Sequence, residues 1–255
     1  MNKLNTTSYQ RIIQQIENTP CGTVYPRSIA EMYQYGDIYI GRDSVLLWHY
    51  SGFAFIYGAC DDCFLETIYD MFLSADSNLS RRFILFSANP KVISFFQNKQ
   101  DIVLGNRYNF EYPPERTISR SEIPPDFQIC QFDQKLFDNI TGRITPRFSW
   151  RDASEFLKHG VGYCVMHNGK AVSWAFSAAV SSNELDIGIE TVSDYRHMGL
   201  GLAAAEKMIR FCFEHNKHPV WSCDVHNTAS QRIALKLGFV RSSEYITIRR
   251  YCFPN

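Results

Sequence analysis

Leu185, Ile187 and Ile189 alternate with polar or small neighbours, the period-2 pattern of a strand with one buried face. Upstream, Tyr163-Cys164-Val165-Met166 and residues 171–180 flank His167-Asn168-Gly169, which predicts a hairpin turned at Asn-Gly. The rest of the second half reads as a strand near 127–132, a helix over 134–139 and a helix start with Ser149 as N-cap and Asp152 three residues on. A long helix follows over 199–215, then a strand at 220–225, a helix over 228–237 and a strand at 245–250. In the first half, strands at 37–41, 45–49 and 53–57 are separated by Gly and Asp turns. A helix over 64–73, a buried strand at 82–87, a helix opened by Asn89-Pro90 and a strand at 102–110 complete it. The expected class is α/β (α+β type), with a mixed, mostly antiparallel central sheet flanked by helices in the second half and a smaller α/β domain before it. No repeat is visible at the residue level.

Tyr112-Pro113-Pro114-Glu115-Arg116 to Ser121-Glu122-Ile123-Pro124-Pro125 carries four prolines and many charges, the composition of an exposed, fairly stiff connector. It divides the chain into expected domains 1–120 and 125–255. With 255 residues, 45% of them hydrophobic, the chain can bury one large core or two modest ones, and its length makes two domains the natural expectation. Lys and Arg total 26 against 26 Asp and Glu, without the basic excess or stripe of a nucleic-acid binder or of a protein drawn to anionic membranes. Neither a spanning apolar run nor a signal peptide is evident, so the expectation is a cytoplasmic protein whose eight cysteines are reduced thiols. The one CxxC, Cys60-Asp61-Asp62-Cys63, supplies too few ligands for a zinc site and reads as a turn or helix start; no metal is expected.

The chemistry centres on Ile187-Gly188-Ile189-Glu190-Thr191-Val192-Ser193-Asp194-Tyr195-Arg196-His197-Met198-Gly199-Leu200-Gly201-Leu202-Ala203: a strand, a short loop and a Gly-bearing helix start. A helix N-terminus leaves backbone N–H groups unpaired and carries partial positive charge, so phosphates sit well there, and glycine lets backbone approach them. Close packing of helix on sheet is the alternative role for Gly199 and Gly201. A Walker A loop is excluded by the missing Lys-Ser/Thr, and a dinucleotide fingerprint by the missing third glycine.

Arg196, Gly199 and Gly201 resemble the Arg/Gln-x-x-Gly-x-Gly/Ala signature of the GNAT superfamily, and Asn227-Thr228-Ala229-Ser230 with Lys236-Leu237-Gly238-Phe239 resembles its second signature. The likeness covers about 127–253. The segment 160–176 is similar to a bacterial two-domain subgroup, some members of which are tied to antibiotic self-resistance; the first half would then be the subgroup's own domain, a degenerate relative of the fold shaping the acceptor cleft. The resemblance implies acetyl-CoA as co-substrate, with the backbone of Ile189 and Thr191 on the pantetheine arm. Arg196, His197, Met198, Gly199, Leu200 and Gly201 would hold the pyrophosphate, with Asn227 across a splayed gap and Ser230 within reach. It implies direct acetyl transfer to a primary amine of a small molecule (an amino sugar, amine metabolite or antibiotic), by a monomer or homodimer, with no nucleic acid or membrane partner.

Glu184, Asp186 and Glu190 share the strand parity opposite to Leu185, Ile187 and Ile189. They could line the substrate side, or be a solvated face; Glu190 is the first candidate base and Asp186 the second. The family's usual acid, a Tyr seven residues after the Asn, is replaced by Ala234. Tyr245, Ser230 or water could protonate the thiolate instead. That departure keeps a second reading open, an acyl-CoA-binding sensor without turnover. A nucleotide-binding protein is a third, disfavoured by the missing Lys-Ser/Thr. Tyr33, Tyr35, Trp48, Tyr50 and Phe53 could shape an acceptor site or be core.

Overall fold

A computed structural model describes residues 1–17, 19–116 and 121–251. In chain order the strands and α-helices are β1 (Asn2–Lys3), α1 (Val24–Ala30), β2 (Gly36–Ile40), β3 (Ser44–His49), β4 (Phe53–Gly58), α2 (Asp62–Ile68), β5 (Ile84–Ser87), α3 (Pro90–Gln97), β6 (Ile102–Glu111), β7 (Gln128–Gln131), α4 (Gln134–Asn139), α5 (Ala153–His159), β8 (Gly162–His167), β9 (Lys170–Val180), β10 (Glu184–Thr191), α6 (Leu200–Glu214), β11 (His218–Asp224), α7 (Thr228–Leu237) and β12 (Val240–Arg250). None of the described helices is long and apolar enough to cross a membrane.

The chain groups into two compact units. One comprises Met1–Asn109, Asp224–His226 and the chain from Ser242 on; the other comprises Phe110–Cys223 and Asn227–Arg241. The sequence reading ended the first half at 120 and gave everything after 125 to the second, whereas most of β12 groups with the first unit because it pairs antiparallel with β5, Ile246 opposite Ser87 and Ile248 opposite Leu85. In that unit β2, β3 and β4 form an antiparallel meander, and β5 joins β4 in parallel. Leu46, Ala54, Leu85 and Ile248 from its strands pack with Leu65, Ile68, Val92 and Phe96 from α2 and α3. Trp48 and Phe53 are core residues, while Tyr35 stays exposed. Cys60-Asp61-Asp62-Cys63 is a helix start: Asp61 caps α2, accepting the Phe64 N–H at 2.8 Å.

In the second unit β7, β8, β9 and β10 are antiparallel in succession, and β11 joins β10 in parallel. The turn between β8 and β9 puts both Asn168 and Gly169 at positive φ, 48° and 74°, the conformation that makes Asn-Gly a hairpin turn. Helix α6 lies on β8, β9 and β10, burying Ala204, Met208 and Ile209 at the spacing of one helical face. Phe156 of α5 meets Phe132, Phe137 and Trp150. The α5 start differs from expectation: Asp152 is the cap, accepting the Glu155 N–H at 2.8 Å, and Ser149 is buried at the end of a 3-10 turn over Pro146–Phe148. The connector, of which 117–120 lie outside the described residues, is not wholly exposed, since Tyr112 is buried against Phe213 and Phe239.

Along the chain one order of elements occurs twice: a three-strand meander, a helix, a parallel strand, a second helix and a last strand. Thus β2-β3-β4-α2-β5-α3-β6 repeats as β8-β9-β10-α6-β11-α7-β12. The likeness is one of element order and not of matching residues.

Candidate active site

The parallel strands β10 and β11 register at Glu184↔His218, Leu185↔Pro219 and Asp186↔Val220. Among the described residues no registered pair follows, although β10 continues to Thr191 and β11 to Asp224. β9 meanwhile stays paired with β10 as far as Thr191, with an irregularity between Asp186 and Ile187; such a bulge sharpens local twist. From Ile187 onward, then, the edge of β10 turned away from β9 has lost its strand partner. Its peptide groups suit an extended chain laid alongside as an added strand.

Beyond Thr191 a 3-10 turn over Ser193–Tyr195 reverses the chain, and Arg196 Nε donates back to the Thr191 carbonyl at 3.3 Å. His197 and Gly199 sit at φ 66° and 77°, and Gly199 is the N-cap of α6. This helix start has no side-chain cap and no acid in its first turn. The first N–H groups of α6 precede the Ala203→Gly199 bond of 3.1 Å and have no intrahelical acceptor; the helix dipole points the same positive end outward. The two glycines have different reasons to be there. A Cβ on Gly199 would meet nothing within 4 Å, whereas one on Gly201 would come within 3.0 Å of Ile189 Cδ1 and 3.1 Å of Thr191 Oγ1. Gly199 supplies a left-handed turn on an open side, and Gly201 lets α6 close onto β10. Leu200 is buried beneath them, while Arg196, His197 and Met198 are exposed.

Since Gly201 touches Ile189 and Thr191, both side chains face α6. Thr191 Oγ1 also lies 2.7 Å from Ser173 Oγ. Glu190 projects to the opposite face, where its carboxylate accepts the N–H of Arg143 at 3.2 Å and of Ile144 at 2.6 Å. Asp186 is buried at the last registered pair, the point where β10 and β11 part. Asn227 caps α7, accepting the Ser230 N–H at 3.1 Å. Ser230 Oγ in turn accepts the Trp221 indole N–H at 2.9 Å, so its hydroxyl is held by a neighbouring strand. Ala234 is fully buried. Tyr245 belongs to the first unit, where its buried ring meets Phe86 edge-on at 5.5 Å. Sequence reasoning had no cue for residues 141–145, the loop that Glu190 holds, or for Trp174, whose indole donates to the Ile144 carbonyl at 2.8 Å. Gly142 was the one residue there that could have marked a close approach.

The chain is similar to known proteins in sequence and fold. The chain is 30% identical over 170 residues to an uncharacterized N-acetyltransferase, YdfB, of Bacillus subtilis, a match spanning 65% of this chain and 65% of that protein's length. A GCN5-related N-acetyltransferase-like protein from Streptococcus suis superposes with a TM-score of 0.71 at 20% identity, covering 97% of this chain and 100% of its own. A tandem GNAT protein from the clavulanic acid biosynthesis pathway superposes with a TM-score of 0.61 at 8% identity, covering 100% and 99%. At those identities the two structures speak to the fold alone. The family pattern described as GNAT acetyltransferase matches residues 14–248, nearly the whole chain, and the protein therefore belongs to the GNAT acetyltransferase family.

Proposed function

We propose that the protein is an acetyl-CoA-dependent N-acetyltransferase that acetylates a primary amine of a small molecule by direct attack in a ternary complex. The observation that carries this reading is the parting of β10 and β11 after Asp186↔Val220, beside a helix start with neither a side-chain cap nor an acid in its first turn. A long, thin ligand with an amide-bearing arm and a pyrophosphate fits both: a strand edge for the arm, backbone donors and positive dipole for the phosphates. The open space over Gly199 leaves room for the latter.

In this reading the backbone of Ile189 and Thr191 pairs with the arm, residues 196–201 hold the pyrophosphate, and Asn227 flanks the arm from the start of α7. Bound acetyl-CoA supplies an acetyl group activated as a thioester. Asp186, at the fork of the strands, takes the ammonium proton, directly or through water, because only the neutral amine is a nucleophile. Solvent protonates the departing thiolate: Ala234 offers no hydroxyl, and a thiol of pKa about 8.5 leaves without strong acid assistance. Holding the amine against the thioester is the larger contribution, worth roughly 7–11 kcal/mol when well oriented. The balance of 26 basic and 26 acidic residues suits a small amine, such as an amino sugar, amine metabolite or amine-bearing antibiotic, better than a basic protein tail.

Thermal unfolding with acetyl-CoA, CoA, ATP or NAD tests the site. Ligand at a hundred times its Kd stabilises by about 2.7 kcal/mol, so a rise in Tm with both CoA species and none with ATP or NAD is expected. Thiol release with a panel of amines then tests turnover. The buried Ala234 favours the second reading, an acyl-CoA-binding sensor, and a thermal shift without thiol release from any amine would select it.

A further inference from the structure

Between α4 and the 3-10 turn at Pro146–Phe148 the chain has no regular structure, yet it is held throughout. Arg147 donates to the carbonyls of Asp138 at 2.9 Å and Ile140 at 2.6 Å. Midway, both peptide groups of Ile144 are taken by side chains: its N–H by Glu190 and its carbonyl by Trp174. Glu190 and Trp174 are direct partners across β10 and β9, so together they form one platform under the loop. Gly142 crosses that platform so closely that a Cβ there would lie 2.6 Å from Glu190 Oε2 and 2.8 Å from Trp174 Cζ2. Thr141, Gly142 and Arg143 are exposed on its outer side. A loop that only joined two short helices could bond its backbone to water; this one is strapped down over the stretch of β10 that has lost its β11 partner.

We propose that Glu190 is a positioning residue which, with Trp174, fixes the 141–145 strap as a wall of the amine-acceptor site. The inference rests on the function proposed above. It removes Glu190 from base work: both carboxylate oxygens already accept backbone N–H groups, and taking up a proton would cost those bonds the negative charge that strengthens them. Proton removal is left to Asp186, and acceptor selection falls to the residues on the strap's outer side.

Two measurements test this, the first independent of any ligand. Amide hydrogen exchange at Arg143 and Ile144 should be slow in the wild type and rise by about tenfold or more in Glu190→Ala, the equivalent of one lost hydrogen bond, with β9 amides unchanged. Equal exchange at those two amides in both proteins would overturn the proposal. The second compares Glu190→Gln with Gly142→Ala, which displaces the strap while keeping the carboxylate. Both should raise the acceptor KM several-fold, leaving the acetyl-CoA KM and the shape of the pH–rate profile as in the wild type. A kcat lower by roughly a hundredfold or more in Glu190→Gln alone, with loss of the acid limb, is the signature of a general base and would refute it. Absence of turnover in the wild type would count against the enzymatic reading instead, while the exchange result would still decide whether Glu190 holds the strap.

Discussion

Gly199 and Gly201 stand two residues apart and fail differently when changed. Gly199→Ala meets no atoms but must hold φ 77°, which costs an L-residue about 1–2 kcal/mol; its unfolding free energy measured in urea should fall by that much with acetyl-CoA binding largely kept. Gly199→Asp carries the same backbone strain and adds a negative charge where phosphate is expected, so binding by calorimetry should vanish; unchanged affinity would refute the phosphate-loop assignment. His49 makes a separate prediction. It is fully buried, with Nδ1 accepting the Ser51 N–H at 3.1 Å and its ring edge-on to Tyr25 at 5.1 Å, and burial lowers its pKa from 6.5 to about 3. Between those values the unfolded chain binds the proton that the folded chain refuses. The His49 contribution is therefore complete above pH 6.5 and is lost as pH falls towards 3. Urea midpoints measured across that interval should drop more steeply for the wild type than for His49→Asn.

Elements with a strong local signature were legible in the chain. Asn168-Gly169 fixed a turn, the apolar face of α6 fixed a helix, and two spaced signatures marked its start and that of α7. The helices over Thr6–Gln15 and Val24–Ala30 were missed. The first is a 3-10 helix, and the second is a seven-residue stretch containing Pro26, which packing rather than propensity holds in place. Ser149 and Asp152 both suit a cap, and burial of Ser149 behind Pro146 decides between them. The strand parity set Glu190 on the face opposite Ile189, where the structure has it. What it meets there was hidden, because its partner Ile144 lies 46 residues away. The fork between β10 and β11 was equally invisible: loss of pairing is a relation between strands, and neither strand's own residues report it. Asn227 should act as an ordinary cap as well as a candidate ligand group. Asn227→Ala is expected to cost about 1 kcal/mol by chemical denaturation, and a larger fall in acetyl-CoA affinity would measure its second role.

At the scale of the whole molecule the repeated topology raises the question of a second acyl-CoA site. The counterpart of the α6 start is the start of α2, where Asp61 already occupies the Phe64 N–H and Asp62 adds charge to the first turn. Two carboxylates at that helix end oppose phosphate rather than attract it. Calorimetry should accordingly give one acetyl-CoA per chain, abolished by Gly199→Asp; two sites, or one surviving that change, would contradict this. The last strand has a consequence for how the protein is made. Ile248 is fully buried in the first unit's core and faces Leu85, so that unit lacks a strand until more than half the chain after β5 has been synthesised. While the ribosome works through the second unit, β5 waits as an open edge of the kind that recruits foreign strands, and long-range pairing of this sort closes slowly. Premature termination before β12 would thus spoil the half of the protein made first, and such fragments should collect in the insoluble fraction although every codon of β1 to β5 has been read.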